Sequence, residues 1–214
     1  MSLKIKVPKS ASKNIPLLEA GTYVGRCFKM IHQGTNDEVI LGKTKTLNKV
    51  RLYWELPDEM MVFDEEKGEQ PRVISKEFTL SLHEKSNLRK TLESWRGKTF
   101  TAKELDDFDL TKLMGAACMI TVIHKATKDG KEYVQISSIT KLMKNMKCPK
   151  QVNETFVFGF DPFEPEKFDQ LPDFIKEKVQ TSVEYREIVG GEKPVEIEET
   201  HEVEAIDEAD DLPF

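Results

Sequence analysis

Between Val50 and Leu56 the chain reads VRLYWEL, with Val50, Leu52, Trp54 and Leu56 alternating against Arg51, Tyr53 and Glu55. A period of two with one apolar face admits a half-buried β-strand and excludes an amphipathic helix. The period recurs in RVISKEFTLSLH (72–83), where Ile74, Phe78, Leu80 and Leu82 share one parity. Strand formers also dominate GTYVGRCFKMIH (21–32), ACMITVIHK (117–125) and KEYVQISSITKL (131–142). The last two flank Asp129-Gly130, a strong hairpin signal. The polar stretch 33–49 and the acidic stretch 57–71 read as loops.

The period changes in SNLRKTLESWRGK (86–98), which places Leu88, Leu92 and Trp95 at i, i+4 and i+7 behind a capping Ser86, with Gly97 as the stop. This predicts a short helix. Thr101 and Glu104 form a capping-box pattern, and DLTKLMG (109–115) predicts a further turn or two. Trp54 lies on the inward parity of its strand and Trp95 on the apolar helix face, so both are expected in the core.

The order strand, strand, strand, helix, strand, strand is the topology of the OB-fold, a five-stranded Greek-key barrel that commonly binds oligonucleotides on strands two and three and their flanking loops. The expected architecture is mainly β, an OB-fold barrel over 16–150, preceded by a flexible basic arm (1–15) with Lys4, Lys6, Lys9 and Lys13. An extension (151–189) follows, with alternating Phe156, Phe158 and Phe160 and a helix near 172–188. It can pack on the barrel, on a second subunit or on another protein. A disordered acidic tail (190–214) is expected to close the chain.

Charge divides along the same boundary. Residues 1–150 carry 27 Lys+Arg and 19 Asp+Glu, net +8; residues 151–214 carry 5 and 19, net −14; the sum is the overall −6. A basic body joined to an acidic end suggests a polyanion partner for the body and a separate role for the end. No stretch approaches the roughly 20 apolar residues of a membrane helix, and MSLKIKVPKSASK lacks the apolar run of a secretory signal, so a soluble cytoplasmic protein is expected. Cys27, Cys118 and Cys148 are odd in number and lack CxxC spacing, which predicts reduced thiols and no zinc knuckle.

The chemistry of catalysis is not evident. There is no GxxxxGK[ST] loop, GxGxxG, HExxH or GxSxG, and His32, His83, His124 and His201 are scattered. No catalytic group, metal or cofactor is expected. Single-stranded nucleic acid instead requires a positive groove and rings on which bases stack. Arg51 and Tyr53 share the exposed parity of the second strand, and Lys131, Tyr133 and Gln135 that of the fifth. The first strand offers Arg26 and Phe28 on one parity and Lys29 on the other. Lys43, Lys45 and Lys49, with Lys125, Lys128 and Lys131, would rim the groove from both sides. Exposed strand cations can also serve only solubility and protection of sheet edges.

The last five residues, DDLPF (210–214), resemble the Asp-Asp-Ile-Pro-Phe tip of bacterial single-stranded DNA-binding proteins, with Leu212 in place of Ile. The runs KVRLYWELPDE, ISKEFTLSLHEKSNLRKTLESWRGKTF and GAACMITVIHK resemble phage-encoded single-stranded DNA-binding proteins of OB type, over roughly 16–188. The resemblance implies a sequence-tolerant single-stranded DNA-binding protein that protects strands in replication, recombination or repair, within a bacterial host's cytoplasm if phage-encoded. It also implies that Asp210, Asp211, Leu212, Pro213 and Phe214 dock partner enzymes, the ring filling a pocket and the carboxylate meeting a basic residue. A long helix-bearing segment stands where bacterial proteins have a Gly/Gln-rich linker, so their tetramer is not carried over. A strand-annealing mediator, and an adaptor whose acidic tail mimics nucleic acid, are the alternatives.

Overall fold

A computed structural model describes residues 15–190; the basic arm to residue 14 and the tail from 191, with the tip Asp210, Asp211, Leu212, Pro213 and Phe214, lie outside the described residues. The alternating runs form a mainly β architecture. Strands β1 (Gly21–Ile40), β2 (Lys43–Asp64) and β3 (Gly68–Thr79) make an antiparallel meander. Helices α1 (Asn87–Arg96) and α2 (Ala102–Asp106) and a 3₁₀ turn at Leu110–Leu113 follow, then the antiparallel pair β4 (Ala117–Ala126) and β5 (Glu132–Lys141). A short β6 (Phe156–Phe158) leads to α3 (Pro165–Asp169), α4 (Asp173–Gln180) and α5 (Val183–Gly190). The sheet order is β3-β2-β1-β4-β5, and β6 adds in parallel to β1 at Lys29, Met30 and Ile31.

The strand order follows the sequence pattern, but the expected closed barrel is not formed. Among the described residues no ladder joins β3 to β5. A side chain spans the gap instead: the Lys76 ammonium donates to the Ile136 carbonyl at 3.2 Å, and α1 packs on both strands. Ser86 caps α1 by accepting from the Arg89 amide, and Gly97 ends it in the left-handed region at φ 69°. Thr101 and Glu104 complete a reciprocal capping box.

The segments 33–49 and 57–71 are largely strand rather than loop. Asp37 pairs with Thr46 and Glu38 with Lys45, while Met60 pairs with Pro71 and Val62 with Glu69. Both ladders run past the core, so neither needs one apolar face, and the alternation that marks a buried strand is missing from their sequence. A register shift between Leu56 and Met60 absorbs Pro57, which cannot donate to a ladder.

Two apolar clusters hold the described residues together. The larger lies inside the curved sheet, where Leu52, Trp54, Leu56, Leu92 and Ile120 are at most 1 % exposed and Trp54 meets Trp95 with ring centroids 5.9 Å apart. The smaller lies on the opposite face of β1 and β2, where Ile31 and Tyr53 meet Phe158, Phe168, Ile175 and Val179. Of the packing options that the sequence left open for the extension, the chain's own sheet takes the apolar face of α4.

Candidate nucleic-acid interface

The outward face of β1 and β2 begins with a bulge. Cys27 pairs with Trp54 and Lys29 with Tyr53, leaving Phe28 as the extra residue. Arg26 and Lys29 differ in sequence parity, yet the bulge turns both to the face of Tyr53 and Glu55. They do not remain free there. The Arg26 guanidinium donates to the carbonyls of Gly115 at 2.6 Å, Cys148 at 3.3 Å and Pro149 at 2.8 Å. Lys29 lies 4.6 Å from the Phe156 ring centroid and 5.4 Å from that of Tyr53, and its burial lowers its pKa. Burial likewise raises the Tyr53 phenol.

Toward the hairpin end, cations and acids neutralise one another. Glu77 on β3 accepts from Lys49 at 3.0 Å, Arg51 at 2.7 Å and Lys178 of α4 at 3.1 Å, and Lys49 also bonds Glu38. Burial pushes the Glu77 carboxyl up, but the three hydrogen-bonded cations outweigh it and hold the group at about 2. Beside this network α4 and α5 dock through polar contacts: Glu184 accepts from the Thr35 amide and hydroxyl, each at 2.7 Å. Gly34 admits that approach, because a Cβ there would lie 2.5 Å from the Ser182 Cβ, and its φ is 78°. A cleft of about 430 Å³ lies alongside, lined by groups including Gln33, Asp37, Glu38, Lys178 and Arg186. It has mixed charge and no ring among its lining residues, so it offers no stacking platform.

Arg26, Lys29, Lys49, Arg51 and Tyr53 are therefore engaged by the protein itself rather than displayed on an open groove. Their partners come from far along the chain: Cys148 lies 122 residues from Arg26. The remaining expected contacts stand at the sheet's extremities. Lys43 is exposed and Lys45 half-buried at the start of β2. Lys125 on β4 pairs with Tyr133 on β5, a residue 42 % exposed, and Lys128 and Lys131 are exposed at the intervening turn. These two groups do not converge. β1 begins beside Val122 and ends beside Lys43, so it separates the turns along its whole length.

A third basic group was not singled out from the sequence. In KLMKNMKCPK (141–150), Lys141, Lys144, Lys147 and Lys150 are all exposed, and there is no acid from 133 to 153. The available signal was lysine at every third position in an acid-free run. β5 holds the start of this segment, pairing Lys141 with Cys118, and side chains hold its end. The carbonyls of Cys148 and Pro149 accept from Arg26, and the amides of Val152 and Asn153 donate to the buried Glu55 carboxylate at 2.9 and 2.8 Å.

None of the three cysteines is paired in a disulfide; Cys27 and Cys118 are buried and Cys148 partly so. Burial raises Cys27 to about 12, and Cys118 is raised as well. Among the described residues no group of three or more His, Cys, Asp or Glu side chains is arranged to hold a metal ion. No described helix is long and apolar enough to cross a membrane. Comparison with protein-family models and with curated proteins returns no match.

Proposed function

We propose that the chain is a sequence-tolerant single-stranded DNA-binding protein built on an open variant of the OB-fold, non-catalytic, with an acidic end that recruits partner enzymes. The observation that carries this reading is the charge division, +8 over 1–150 against −14 over 151–214. The strand order β3-β2-β1-β4-β5 with α1 between β3 and β4 supports it, as do the exposed Lys43, Lys128, Lys131 and Tyr133. Lysines meet phosphates without selecting sequence, and an exposed aromatic residue such as Tyr133 would supply a stacking surface that any base satisfies. The tip Asp210, Asp211, Leu212, Pro213 and Phe214 is the proposed docking element for replication, recombination or repair enzymes.

The test is a filter-binding titration of a thirty-nucleotide deoxythymidine strand at two salt concentrations, with a duplex control. Single-strand affinity that falls as salt rises is expected, because counterion release drives association. No affinity at low salt overturns the proposal. The internal engagement of Arg26, Lys29, Lys49, Arg51 and Tyr53 favours the second reading, an adaptor that binds protein; that same negative titration would select it.

A further inference from the structure

We infer that the segment 141–150 is a phosphate track, along which the backbone of a bound single strand runs while its bases rest on Met143 and Met146. This inference rests on the proposed function and locates its contact surface on the segment anchored over Arg26 and Glu55 rather than on the cations of β1 and β2 themselves. The comparison of two basic runs carries it. Residues 39–54 hold Lys43, Lys45, Lys49 and Arg51 without an acid, but Lys49 and Arg51 are bound by Glu38 and Glu77. Residues 141–150 hold as many cations, and none of Lys141, Lys144, Lys147 and Lys150 takes part in an ion pair among the described residues.

The segment is also built to stay in place. β5 holds Lys141 opposite Cys118, the Met146 amide donates to the Met143 carbonyl, and Arg26 and Glu55 fix residues 148, 149, 152 and 153. A backbone fixed at both ends has less to lose on binding, so fewer favourable contacts are offset by ordering. Met143 is 58 % and Met146 38 % exposed between the lysines. Interleaved cations and soft apolar side chains suit a ligand in which charge and flat apolar groups alternate, as phosphates and unpaired bases do. An anionic membrane is the other polyanion, but membrane-surface segments segregate cations and apolar groups on opposite faces of a helix. Residues 142–150 are not helical.

The test compares the full chain carrying Lys144→Gln, Lys147→Gln and Lys150→Gln with a control carrying Lys85→Gln, Lys90→Gln and Lys103→Gln, which removes the same charge elsewhere. The probe is the thirty-nucleotide deoxythymidine strand. The track variant is expected to lose affinity on the order of tenfold at low salt, and its salt slope to flatten by about 2, since each single-strand phosphate contact contributes about 0.7. The control should stay within about twofold of wild type. Matching melting curves establish that the variants fold. In the wild-type protein, bound strand should protect Lys144, Lys147 and Lys150 from acetylation. If wild type binds the strand while the track variant matches the control and these lysines stay reactive, this inference is overturned and the proposed function stands. If wild type does not bind the strand at all, both fall. Capture by phosphatidylglycerol vesicles that the track variant abolishes, with strand binding unchanged, overturns it in favour of a membrane surface.

Discussion

Glu55 and Glu77 show how two acids on adjacent strands fix the extension to the sheet. Glu55 is fully buried and accepts from the Val152 amide, the Asn153 amide and the Asn153 carboxamide at 2.9, 2.8 and 2.7 Å. Glu55→Gln would turn an amino group toward N–H donors. We expect a loss of about 2–3 kcal/mol, as for a buried charged acceptor whose bonds are broken; an unchanged urea midpoint would refute it. Glu77 makes a prediction in pH. Its folded pKa, about 2, lies below the ordinary 4.5, so its contribution is complete above about 4.5 and is lost as pH falls toward 2. The group is partly solvated, so screening reduces the expected contribution to about 1–2 kcal/mol. Glu77→Gln should show a shallower loss of stability between pH 5 and pH 2 than wild type, and parallel curves would rule the linkage out.

At the scale of elements, the hairpin joining β1 to β2 turns at Leu41 and Gly42, with φ of 51° and 77°. Glycine takes that conformation readily, whereas a leucine, here 91 % exposed, resists it. Leu41→Asn gives the turn the Asn-Gly pair it favours and should stabilise the protein by about 0.5–1 kcal/mol; a lower melting temperature would count against this account of the turn. Gly34→Ala is expected to act in the opposite direction by forcing the α4–α5 junction off β1. Limited proteolysis should then cut within 165–190 sooner than in wild type; equal cutting rates would show that the junction accommodates a Cβ. The elements most legible in the sequence were those with an apolar face, such as β2 at 50–56 and α1, where Leu88, Leu92 and Trp95 do become buried. The arms at 33–49 and 57–71 were illegible because ladders outside the core leave no apolar signature. The candidate site was legible only in part. Parity identified the face that holds Arg51 and Tyr53, but nothing local reveals that Phe158, Ile175 and Val179 return to cover it.

For the whole molecule, the proposed function and the charge division together predict that the acidic end competes for the surface that receives DNA. Joined to the body through residues 191–200, such a tail would be held at an effective concentration of about millimolar. Removing 201–214, with Glu202, Glu204, Asp207, Glu208, Asp210 and Asp211, should therefore strengthen single-strand binding several-fold at low salt, and the gain should shrink as salt rises. A truncated protein with unchanged affinity at every salt concentration would remove the tail from the mechanism.

The parallel pairing of β6 with β1 has a consequence for synthesis. Ile31 waits for Phe158, its partner in that ladder, and the ribosome adds residues at about 5–20 per second, so roughly 6 to 25 s separate the two. During that interval the nascent chain exposes Ile31 and Tyr53 with no aromatic cover. A chain ending near residue 150 would keep that state permanently and would be a substrate for chaperones and proteases rather than a working fragment of the protein.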